Sequence, residues 1–117
     1  MAIVAIHPNH KPHPRYEQPA FRLGFARLVT HYWRHKGWLA DGILMRKVNC
    51  LSDVPSLLIH GRLDLCSPLV TPWRLAQNWP GSELIIVSEA GHDARDLAMS
   101  ESIVAATDHF ASVPSRK

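Results

Sequence analysis

Two residues in this sequence have the type and setting for proton-transfer chemistry, Asp64 and His92. Asp64 follows the apolar run Leu57-Leu58-Ile59 by way of His60-Gly61-Arg62-Leu63, and His92 follows Leu84-Ile85-Ile86-Val87 by way of Ser88-Glu89-Ala90-Gly91. Each stands just beyond the end of a predicted strand. A carboxylate that accepts an imidazole N–H fixes the ring's tautomer and stabilises the imidazolium formed when a nucleophile gives up its proton. Asp64 and His92 suit those two roles. The alternative is plainer: Asp64 caps a turn and His92 is a surface loop residue.

The elements that must position this pair follow from pattern. Strands are predicted over 56–60 and from about Glu83, with a helix between them that starts at Thr71-Pro72 and stops at Pro80-Gly81. Strand, helix and strand make a βαβ unit, which in one sheet is parallel and right-handed. In such sheets the working residues gather beyond the carboxyl ends of the strands, where Asp64 and His92 fall. A last helix, capped by Ser100, is expected to bury Ile103, Val104, Thr107, Phe110 and Ala111. The strand cores are continuous apolar runs that expect cover on both faces. Only two strands are convincing, so the parallel sheet is incomplete and needs another chain, a dimer partner or an upstream segment to cover its edges.

Residues 1–20 form a Pro- and His-rich segment, with Pro8, Pro12, Pro14 and Pro19 favouring extended chain. His7, His10 and His13 would align along a polyproline II helix, though such tails usually do nothing specific. Residues 21–50 read as helical. Phe21, Phe25, Leu28, Val29 and Tyr32 form one stripe of a helix ended by Gly37, and Asp41 can cap a second, short helix. His31 and His35 share a face of the first helix, but Tyr32 stands where a zinc-protease motif needs glutamate. Residues 51–117 hold the βαβα unit.

At 117 residues, with 46% hydrophobic and 20% charged side chains, the chain is a single ordinary domain at most and not wholly disordered. The net charge of +3 is scattered with no basic run, which argues against nucleic acid as partner. No stretch is long and apolar enough to span a bilayer, and no signal peptide is expected. Cys50 and Cys66 read as reduced, buried, inert thiols, and the protein as cytoplasmic.

The motif set around the pair is more restrictive than a bare acid and histidine. Gly61-Arg62-Leu63-Asp64-Leu65-Cys66-Ser67-Pro68, Trp73, Gln77-Asn78-Trp79-Pro80, Glu89-Ala90-Gly91-His92 and Ala105-Ala106-Thr107-Asp108 occur in that order. Over 21–112 this resembles the C-terminal part of the proline iminopeptidases, serine aminopeptidases of the α/β-hydrolase fold that release N-terminal proline from peptides. The resemblance implies an α/β fold in which Asp64 and His92 are the acid and base of the triad, with no cofactor and no metal. Its substrate, once the fold is complete, would be a peptide with N-terminal proline.

The departures are equally definite. None of the six glycines brackets a serine in a G-x-S-x-G elbow, and the family's glycine-rich oxyanion segment has no counterpart. The family's helix that offers a glutamate to the substrate's amino terminus is matched by Ala26-Arg27-Leu28-Val29-Thr30-His31-Tyr32-Trp33, with Val29 at the glutamate position. Cys66, two residues from the acid, is a poor substitute nucleophile, and Cys50 is no better. Arg62 is expected to pair with a carboxylate and brace the turn, and Asp93, Arg95 and Asp96 to form a solvated loop. The chain is therefore expected to carry acid and base without nucleophile and to be inactive alone. The alternative from another class is a non-catalytic module, derived from a hydrolase and used for partner binding or dimerisation through its strand edges.

Overall fold

The computed structural model describes residues 13–112, which divide into two compact units on either side of the Lys47–Val48 bond. His7 and His10 lie outside the described residues.

The first unit is helical. Pro14–Glu17 form a short 3-10 helix with proline at its start, and α1 runs over Pro19–Arg34. The expected extended chain is thus replaced at 14–17 by a turn of helix. The reason is local packing: Tyr16 sets its ring edge-on to Phe21 and Phe25 at 5.4 and 5.6 Å, and the Arg15 guanidinium lies over Tyr16 and Phe21. After α1, Lys36, Gly37 and Trp38 all adopt positive φ, a conformation that only Gly37 enters without steric cost. The helix α2, Ile43–Lys47, follows Gly42. Asp41 spends its carboxylate on Lys36 Nζ at 3.1 Å instead of capping α2. The apolar stripe of α1 exists as read, but within this unit Phe25, Leu28 and Tyr32 remain exposed.

The second unit begins with a 3-10 turn at Val48–Leu51 and carries the sheet. Strand β1, Ser56–Gly61, pairs in parallel with β2, Ser82–Val87, in the register Ser56↔Ser82 through Gly61↔Val87. The crossover helix α3, Val70–Asn78, packs on both strands, and α4, Leu97–Ser112, packs on them as well. This is a partial α/β fold whose sheet, among the described residues, has two strands. The end of α3 is tied to the unit's start by Trp79, whose indole Nε1–H donates to the Leu51 carbonyl at 2.8 Å.

Boundaries differ from expectation at two helices. α3 opens at Val70, so Thr71 lies inside the first turn and its N–H donates to the Pro68 carbonyl. α4 opens at Leu97, three residues before Ser100, because the Ser100 N–H already donates to the Asp96 carbonyl at 2.8 Å. The side of α4 that is buried is also different. Met99 and Ala106 are enclosed, while Ile103, Val104 and Phe110 are exposed. Ser102, Ala105 and Ala106 of α4, with Leu57 and Ile85 of the strands, line an open cavity, so this side of the helix does not close tightly on the sheet. The core of the unit is Val87, Ala90 and Met99, with Ile59 and Ala98 against it.

Candidate active site

The two strands end side by side, and their last residues set the site. Beyond Gly61 the chain turns back, with the Arg62 N–H donating to the Val87 carbonyl and the Leu63 N–H to the Ala90 carbonyl. Those two bonds stitch the turn that carries Asp64 to the one that leads to His92. Gly61 is what permits it: a Cβ there would lie 2.2 Å from the Gly91 carbonyl oxygen and 2.5 Å from that of Ala90. Ala90 itself is fully enclosed.

The carboxylate of Asp64 divides its oxygens. Oδ1 accepts from the Cys66 and Ser67 N–H groups at 2.7 and 3.0 Å, an Asx-type turn that locks the side chain. Oδ2 lies 2.9 Å from His92 Nδ1. An ionised carboxylate only accepts, so Nδ1 carries the proton, and neutral His92 is left with a bare Nε2. The Asp64 side chain is 5% exposed and that of His92 49%, a sheltered acid behind an accessible ring. Burial pushes the Asp64 carboxyl up, but the hydrogen bond from His92, the two backbone N–H groups and the attraction of the imidazole outweigh it and hold it below its ordinary value.

Both sequence-selected residues are thus brought into one hydrogen-bonded pair at the carboxyl ends of parallel strands. Three further residues support it that sequence reasoning did not select. His60 Nε2 donates to the Ser67 carbonyl at 2.8 Å and stands 3.9 Å from Asp64 Oδ2, closing the turn from below. Asp96 Oδ2 accepts the Gly91 N–H at 3.2 Å and so anchors the residue before His92. It is therefore not merely solvated, whereas its neighbours Asp93 and Arg95 pair with each other. Gly61 is the third. A glycine directly after an apolar strand was the available signal for it.

Two expectations are corrected. Cys50 and Cys66 are both exposed, not buried: Cys50 lies in the 3-10 turn Val48–Leu51 and Cys66 on the surface turn closed by Asp64 Oδ1. Arg62 braces its turn with its backbone N–H, and among the described residues its guanidinium makes no ion pair. Elsewhere, His31 and His35 meet each other and Trp38, with ring centroids 5.1 to 5.3 Å apart.

A two-stranded parallel βαβα unit with an acid and a histidine at adjoining strand ends is a partial α/β fold, consistent with a portion of an α/β-hydrolase. Sequence relatives sharpen that class: the chain is related to the proline iminopeptidases. It is 46% identical over 101 residues to a probable proline iminopeptidase of Streptomyces coelicolor, 83% of this chain and 31% of that protein. It is 33% identical over 109 residues to a proline iminopeptidase of Arabidopsis thaliana, 92% of this chain and 29% of the other. A Neisseria gonorrhoeae proline iminopeptidase is 34% identical over 87 residues. The chain thus spans about a third of the length of the curated relatives it matches, in keeping with the C-terminal part of such a hydrolase. No protein-family model matches it. Among the described residues, no helix is long and apolar enough to cross a membrane.

Proposed function

We propose that this chain supplies the acid and base of a serine aminopeptidase of the proline iminopeptidase type, and that it is inactive until a segment bearing the nucleophile completes it. The observation that carries this reading is the Asp64 Oδ2–His92 Nδ1 contact of 2.9 Å, with Oδ1 already committed to the turn. His92 Nε2 takes the proton of a serine hydroxyl as it attacks the peptide carbonyl and returns it to the leaving amine. Asp64 holds the tautomer and stabilises the imidazolium in between. Peptide with N-terminal proline is the substrate. Val29 in place of the family's glutamate weakens the hold on its ammonium. Two exposed free thiols support a reducing, cytoplasmic setting.

A chimera tests the reading. Residues 21–112 replace the matching part of the Streptomyces coelicolor relative, and hydrolysis of an N-terminal prolyl chromogenic substrate is followed. The chimera turns over, the isolated chain does not, and His92→Ala in the chimera lowers kcat by at least about 10³-fold. Equal turnover with and without His92 would remove the assignment.

A second reading, a non-catalytic module that forms a dimer through its strand edges, is favoured by one observation. Among the described residues the sheet has two strands, so each strand has an edge without a partner strand. Sedimentation decides: a dimer supports it, and a monomer with cooperative unfolding removes it.

A further inference from the structure

Cys66 lies beside the acid–histidine pair in a way that the pair's own chemistry does not use. A carboxylate oxygen of Asp64, the Cys66 sulfur and a ring nitrogen of His92 all fall within 4.8 Å of one another. The turn creates this cluster: by accepting the Cys66 and Ser67 N–H groups, Asp64 Oδ1 wraps residues 64–67 around the carboxylate. Both Cys66 and His92 are exposed, so an ion from solvent has direct access.

We propose that Asp64, Cys66 and His92 bind one borderline-soft divalent cation of the zinc class, with water in the fourth position. One oxygen, one sulfur and one imidazole nitrogen suit zinc and exclude the hard cations magnesium and calcium, which take oxygen donors. Zinc–ligand bonds of about 2.0–2.3 Å set tetrahedral donors roughly 3.3–3.8 Å apart. His92 Nδ1 and Asp64 Oδ2, at 2.9 Å, therefore open by a few tenths of an ångström. The sulfur, on an exposed side chain, closes by about 1.3 Å at most. On binding, the thiol proton goes to solvent and the ring proton moves from Nδ1 to Nε2 by way of solvent, so one proton is released in all; no electron changes hands. That tautomer has no free Nε2 lone pair, so the metal-loaded site cannot act as a base. The inference rests on the same residues as the proposed function, but its readout involves no hydrolysis.

The test is a cobalt(II) titration of the whole 117-residue chain, followed by displacement with zinc(II). The expected result is a 1:1 endpoint with a thiolate-to-cobalt charge-transfer band that zinc abolishes. Cys66→Ser removes the band, His92→Gln weakens zinc binding about tenfold or more, and Cys50→Ser leaves both unchanged. Circular dichroism of the metal-free variants, matching the parent, shows that the loss is local. The proposal is overturned by absence of the band in the parent, by its survival in Cys66→Ser, or by its loss in Cys50→Ser. A His31→Gln, His35→Gln double variant that abolished binding would place the ion on α1 and overturn it too. Loss of prolyl hydrolysis in the chimera would leave every one of these readings intact.

Discussion

Asp64 serves the backbone with one oxygen and the imidazole with the other, which makes its titration a direct report on the pair. Replacing His92 with alanine removes the strongest influence that lowers the carboxyl and leaves burial less opposed, so Asp64 should titrate higher in His92→Ala, as read by carboxyl-carbon NMR. The sign for stability follows. A depressed carboxyl adds stability above its unfolded value of 3.8 and loses it as pH falls through the lower folded value. Acid unfolding of the parent should therefore need a lower pH than that of His92→Ala. In the chimera, Val29→Glu should lower KM for prolyl substrates about tenfold by restoring a charge-assisted contact. The meeting of Asp64 and His92 was legible from sequence because each follows a continuous apolar run bounded by turn residues. Asp96 and His60 were not. Their roles depend on a backbone N–H and a carbonyl that face them only after the turns have formed, and nothing in their local pattern encodes that.

The strand ends and helix faces carry their own tests. Gly61→Ala forces a Cβ into the Ala90–Gly91 backbone, which cannot yield as a side chain tip would. It should cost about 1–3 kcal/mol in urea unfolding and separate the Asp64 carboxylate from the His92 ring, read as a change in the His92 ring NMR signals. Met99→Ala, emptying the space between Val87 and Ala90, should cost about 2–5 kcal/mol by the same measurement. Both strands and the crossover were readable, because Leu57-Leu58-Ile59 and Leu84-Ile85-Ile86-Val87 are continuous β-forming runs bounded by turn residues. The buried side of α4 was not. Periodicity ranks faces by apolarity, whereas the side turned inward is the one that carries Met99 and Ala106, and Ile103, Val104 and Phe110 face out.

For the molecule as a whole, exposure of apolar side chains is the dominant fact. Leu28, Trp33, Leu44 and Leu97 are all more than 60% exposed, and the enclosed apolar side chains among the described residues are small or few. A hydrophobic dye such as anilinonaphthalene sulfonate should bind the isolated chain strongly, read as enhanced fluorescence. The two-strand sheet was visible beforehand in the count of apolar runs; the distribution of exposed surface was not, because it depends on which faces the helices turn inward. One local feature also governs how so small a sheet finds its alignment. Sliding β1 by one residue against β2 would bring His60 or Arg62, each with a Cβ, to the place where Gly61 passes the Ala90–Gly91 backbone. No such slip fits. The glycine acts as a proofreader of strand pairing against slips of one residue, which would also mismatch the acid and the histidine.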